Sequence, residues 1–260
     1  MKKILFLLFG AAVLFACNNE EKKTADAPKN TDLIAQNLKG RVQSFEVSSS
    51  TIDSTGASKP DSASYVNEFD EKGYQTSYVT KDISGKTKEA QTLTHYDGGQ
   101  VNEIIYKNGE GKQTSKWQIT IDSSGKYNSA KIYDSAGKVS SIWKELKENE
   151  YGEVISGSEY KEDGSPKHSF VNNYDKANYV GGWSKDSAGK ETFRSAITLN
   201  DKGDAAEETT TTTKDSAKTE KFTYKYDSYD DKGNWTQMTT YNEKGKAIKL
   251  TKRVFTYYKD

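Results

Sequence analysis

The chain reads as an all-β protein: one long antiparallel up-and-down meander of repeated hairpins, in a single-layer or partly rolled sheet, with a closed β-barrel as the alternative. Three observations lead there. A turn phrase, Asp or Asn followed three positions later by Gly, recurs along the chain. The segments between turns alternate apolar and polar residues. The composition is poor in apolar residues, 33% of 260, yet holds 17 tyrosines and only 3 prolines. A disordered chain of that polarity would be poorer in aromatics and β-formers.

Residues 1–16 read as a signal peptide. Lys2 and Lys3 form a basic start, and Ile4 to Leu14 is an apolar run too short to span a bilayer as a helix. The run ends in Leu14-Phe15-Ala16-Cys17, which resembles the lipobox of bacterial lipoproteins. The resemblance implies cleavage before Cys17, a diacylglyceryl group on its sulfur and acylation of the new terminus. Three acyl chains anchor stably where one binds only marginally. Cys17 is the single cysteine, so no intramolecular disulfide forms. Residues 17–36 carry the lipidated cysteine and a polar run without hydrophobic period, a flexible tether. Asn18 follows Cys17, so the inner-membrane retention signal of enterobacteria is absent. The Glu20-Glu21 pair resembles acidic surface-export signals of Bacteroidetes lipoproteins. The expected location is therefore the outer membrane, with the protein at the cell surface or facing the periplasm.

Residues 37–260 form the repeat domain. Clear copies of the turn phrase begin at Asp53, Asp70, Asp82, Asn108, Asp122 and Asp134, and continue at Asn149, Asp186, Asn200, Asp230 and Asn242. Degenerate copies lie at Asp97, Asp163, Asp175 and Asp215. Asp or Asn at the first position bonds the backbone two residues on, and Gly at the fourth tolerates positive φ. That chemistry suits a type I turn closed by a G1 bulge. Asp82, Asn108 and Asp134 stand 26 residues apart, so two hairpin turns make one period. About fifteen turns imply about fifteen strands of roughly 8 to 11 residues. Trp117, Ile119 and Ile121 alternate with polar residues, as do Ile248, Leu250 and Val254. Thr209 to Thr213 offers little to bury, and is expected in sheet wet on both faces or at an edge.

Tyrosine often precedes the turn residue, as at Tyr96, Tyr133, Tyr174, Tyr229 and Tyr241. This Tyr-Asp-x-x-Gly phrase, with Asp230-Asp231-Lys232-Gly233-Asn234-Trp235, resembles the YD (Rhs-type) repeats of bacterial surface proteins. The segments from Asn37 to Ser44 and from Lys252 to Tyr258 resemble the two ends of Bacteroidetes YD-repeat lipoproteins. The resemblance covers most of residues 38–258 and implies an architecture, not an activity.

Lys and Arg total 38, equal to Asp and Glu, so no basic excess draws nucleic acid. No nucleophile elbow, zinc-protease motif, phosphate loop or dinucleotide fingerprint is present. His95 and His168 stand far apart, and His95 is expected to cap a strand end. Asp227, Asp230 and Asp231 cluster before Gly233 but lack the order of a calcium-binding loop, and turn chemistry explains them. No cofactor and no metal are expected. Trp117 and Trp143 are 26 residues apart, with Phe170 near the same phase. They form either the packed face of the roll or a platform for sugars or an apolar ligand. The expected function is that of a non-enzymatic, lipid-anchored envelope scaffold that binds protein or glycan. The alternatives are a carbohydrate-active enzyme with carboxylates hidden among the turns, or a structural spacer. Oligomeric state is left open.

Overall fold

The computed structural model describes residues 31–61, 63–213 and 217–259. The signal peptide 1–16, Cys17, the Glu20-Glu21 pair and the turn at Asp215 lie outside them.

Among these residues one short helix, α1 (Asp32–Ala35), precedes seventeen strands. They begin β1 (Val42–Ile52), β2 (Ser58–Pro60), β3 (Ala63–Phe69), β4 (Gln75–Asp82), β5 (Thr87–His95) and β6 (Val101–Asn108). They continue β7 (Gln113–Ile121), β8 (Tyr127–Asp134), β9 (Val139–Glu148), β10 (Val154–Lys161), β11 (Pro166–Asp175) and β12 (Asn178–Asp186). They end β13 (Glu191–Leu199), β14 (Ala205–Thr212), β15 (Lys218–Tyr229), β16 (Trp235–Asn242) and β17 (Ala247–Tyr257). From β3 onward each strand pairs antiparallel with the next, and β17 returns to pair with β1 from Val42↔Tyr257 to Thr51↔Lys249. β2 and β3 both lie against β1, and act as one stave. The result is a closed barrel of 16 staves, the second of the two forms the sequence allows. Closure removes the edges an open sheet would expose.

The turns explain why this sequence makes hairpins. All eleven clear copies of the phrase form one geometry. At Asp70, for example, the Gly73 N–H donates to the Asp70 carbonyl and the Asp70 N–H donates to the Tyr74 carbonyl. Asp70 Oδ1 accepts from the N–H of Lys72 and of Tyr74, each at 2.9 Å. Two degenerate copies fall into the same geometry one or two residues earlier, from Tyr96 and from Lys161, because Gly99 and Gly164 take the fourth position at φ 91 and 82. Glycine, not aspartate, sets the frame there.

Turns alternate between the two ends of the barrel, and the ends differ. At one end the segment from Thr31 to Arg41 lies across the turns. Thr31 caps α1, the Leu33 N–H donates to Gly73, and Asp32 accepts from the Gln75 N–H. Farther along, Asn37 donates to Asp204 at 2.8 Å, and the Lys39 backbone exchanges two bonds with the Asn234 amide. Leu38, Val42, Phe45, Val47 and Phe69 form a buried cluster beneath it. The last residues of the expected tether, Thr31 to Gln36, are thus part of the fold. At the other end the turn glycines Gly56, Gly85, Gly111, Gly137 and Gly189 have open space where a Cβ would stand. The barrel is a cup, closed at one end by its own N-terminal segment.

Candidate functional site

Successive residues of a strand point to opposite faces, so each stave gives one set to the interior and one to the outside. Among the described residues nothing layers over the barrel wall, so the buried set is the inner one. Phe45 and Val47 on β1 are 2% exposed, while Glu46 and Ser48, which alternate with them, are exposed. On β7, Trp117, Ile119 and Ile121 point inward and Gln118 and Thr120 outward, as the alternation predicts. On β17 the apolar set read from sequence faces the other way. Val254 is 71% exposed, and Thr251, Arg253, Phe255 and Tyr257 take the inside. Pairing fixes this choice: Arg253 stands opposite Val47 and Phe255 opposite Phe45, on the buried face of β1.

The outer wall is hydrophilic. Glu68, Lys131, Arg194, Lys221, Lys225 and Lys252 are exposed there. Cross-strand pairs join it, among them Lys116–Glu103 at 3.4 Å, Lys221–Glu207 at 2.9 Å and the Thr211–Thr219 hydroxyls at 3.0 Å. The threonine run on β14 is flanked by β13 and β15, so it is no edge, and both its faces are partly accessible.

The inner wall is aromatic, and Trp117, Trp143, Phe170 and Arg253 on it keep partial exposure. Strands pack against their neighbours around the ring, and a ring of about 16 strands is wide enough to leave a lumen. Three groups line it. Trp117 packs with Tyr106, ring centroids 6.2 Å apart, over the buried Leu93, Val101 and Ile104. Burial pushes the Tyr106 phenol up to about 12. Trp143 on β9 meets Phe170 on β11 edge-on at 5.3 Å and His168 at 4.7 Å. The structure therefore puts Trp143 and Phe170 in contact and Trp117 in a separate group, all three on the inner wall. Trp183 points outward under Lys185.

Next to Trp143 stands Glu159, whose side chain is 4% exposed. Its carboxylate meets His168 Nδ1 at 2.7 Å and Lys167 Nζ at 2.6 Å. Burial opposes its charge, but hydrogen bonds from His168, Lys167 and Ser141 outweigh burial and hold it at about 2. His168 is thus engaged by a carboxylate. His95 ends β5 at the closed end, as expected, stacked on Tyr74 and 3.4 Å from Asp32.

The third group was not legible in the sequence. Arg253 lies between Phe45 and Trp235, its guanidinium carbon 5.2 Å and 3.6 Å from their ring centroids. Tyr65 and Tyr226 stand close enough to act on its charge. Burial lowers it to about 10, so it stays cationic at neutral pH. The one signal was rarity: of 38 basic residues only Arg41, Arg194 and Arg253 are arginine.

At the closed end a buried acid, Glu153, sits among Asp32, Glu148, Tyr127 and Tyr174. Burial first, then the charges of Asp32 and Glu148, raise its carboxyl to about 7. The aspartates before Gly233 do not converge. Asp230 spends one oxygen on its own turn and accepts from the Tyr257 hydroxyl with the other, while Asp227 pairs with Lys225 at 3.2 Å.

The fold is similar to that of a porin-like protein from Bacteroides uniformis, with a TM-score of 0.55 and 14% identity over 84% of this chain and 98% of that one. At that identity the likeness is one of fold. A chain of the TcdB2-TccC3-Cdc42 complex matches 79% of this chain over 11% of its own length, at 12% identity and a TM-score of 0.34. A DUF1329 family protein from Desulfovibrio piger matches 83% of this chain and 86% of its own, at 12% identity and a TM-score of 0.28. Both values fall below that of a shared fold. No family model and no curated protein matches the chain.

Proposed function

We propose that this is a non-enzymatic, lipid-anchored envelope protein of YD-repeat type, whose barrel stands in water and receives a small ligand in its aromatic interior. The observation that carries the reading is the distribution of side chains across the wall. A membrane-spanning barrel presents an apolar band about 25 Å tall to lipid and keeps a polar interior. Here the outer wall carries Lys, Glu and Thr, and the inner wall carries Trp, Tyr and Phe. The resemblance of Leu14-Phe15-Ala16-Cys17 to a lipobox supplies the attachment that such a barrel lacks. Thr31 lies at the closed end, so a lipid on Cys17 holds that end toward the membrane and leaves the open end facing away.

The binding partner of the inner wall is a molecule with an apolar face. A sugar ring and an aromatic ring both present one. Since Trp117, Trp143 and Phe170 face the lumen, the ligand enters the cup rather than lying on an outer platform. Equilibrium dialysis of the full chain against neutral 2-naphthalenemethanol tests this. Saturable binding by the folded protein is expected. Absence of saturable binding by the folded protein would contradict the reading.

A further inference from the structure

Arg253 is set apart from the other two arginines. Arg41 pairs with Glu71 at 3.4 Å, and Arg194 pairs with Glu191 at 2.5 Å on the outer wall. Arg253 lies on the inner wall with protein all around it, yet part of its surface is accessible from the lumen. Its Nε is buried without a hydrogen-bond partner. Among the described residues no carboxylate forms an ion pair with it. Asp204 acts on it only at longer range, and its own carboxylate is taken by Asn37. A buried charge is costly unless paired, and a guanidinium does not escape by losing its proton at neutral pH. The faces of Phe45 and Trp235 offset part of that cost through their quadrupoles. These rings accept no conventional hydrogen bond, so its N–H donors remain as the means of recognition. Those donors match the two oxygens of a carboxylate.

We propose that the lumen binds a molecule carrying one carboxylate on an apolar ring, with the carboxylate on the Arg253 guanidinium and the ring against the partly exposed Tyr65 and Tyr226. This deepens the reading of the barrel as a receptacle, and depends on it. The selection is for a single negative charge: one arginine faces the ligand here, with Tyr65 and Tyr226 as neutral neighbours. Burial raises the Tyr65 hydroxyl, so it remains a donor across the physiological range.

Dialysis of the full chain against 2-naphthoate, beside the neutral 2-naphthalenemethanol, compares two probes that differ in the charged group. The expected result is binding of naphthoate about tenfold or more tighter than the alcohol. In Arg253→Met that preference disappears while the alcohol still binds, and in Arg253→Lys part of it returns. Equal affinity of the two probes for the unaltered protein would overturn the proposal and leave the receptacle standing. A preference that survives in folded Arg253→Met would overturn it too. Binding of neither probe would remove the receptacle and the proposal together. The ratio for the unaltered protein decides the matter even if the variants do not fold.

Discussion

Gly85 takes φ +83 in the turn between β4 and β5, with open space where a Cβ would stand. Any cost of Gly85→Ala is therefore backbone strain alone, about 1 kcal/mol. Denaturant unfolding should show that loss with an unchanged slope. Glu159 is a different case, because its charge is held by partners. Glu159→Gln leaves His168 and Lys167 without their carboxylate, and should destabilise by about 2 kcal/mol at neutral pH. Lys167 is half exposed and recovers water, which keeps the loss below that of a fully buried pair. The contribution of Glu159 is present above its ordinary 4.5 and is lost as pH falls toward about 2. The difference between Glu159→Gln and the unaltered protein should therefore shrink over that range. Individual residues were unevenly legible. The turn aspartates and glycines act through bonds within five residues, so local sequence discloses them. Arg253, between Lys252 and Val254, reads as surface, since its place depends on β1, more than 200 residues away in the chain.

At the scale of elements, the first part of the N-terminal segment, residues 31–36, is what a sequence reading takes for tether. A helix of 4 residues has no period to detect, and its stability comes from docking. Asn234 is the fastening. Its amide bonds both polar groups of the Lys39 backbone and the Tyr257 hydroxyl, and it is 3% exposed. Asn234→Ala should cost about 2 kcal/mol and raise hydrogen exchange first at residues 33 to 42. The same end carries Glu153. The folded protein keeps on Glu153 a proton that the unfolded chain releases above about 4.5, so stability falls as pH rises from 4.5 to about 7. Thermal melts across that window should show a decline that flattens in Glu153→Gln; an unchanged slope would show that Glu153 is not the group responsible. Strand phase shows the same division between local and distant causes. Trp117, Ile119 and Ile121 point inward as their pattern indicates. Ile248, Leu250 and Val254 show an equally clean pattern and point outward, because β17 takes its face from β1 and β16.

For the molecule as a whole, repetition of one hairpin disclosed the meander, while closure depended on the pairing of β1 with β17. The ring turns a thin sheet with few apolar residues into an enclosure, which concentrates its aromatics on one side and its lysines on the other. That inversion of the pattern of a membrane-spanning barrel bears on where the protein stands. The measurement that tests it most directly is the distribution of Cys17→Ala between the soluble and membrane fractions of the producing cell, with circular dichroism to verify folding. A folded β-protein in the soluble fraction is expected, since the outer wall offers lipid nothing to hold. Retention of the folded variant in the membrane, resistant to high salt, would show that the wall itself spans the bilayer and would contradict the water-facing barrel.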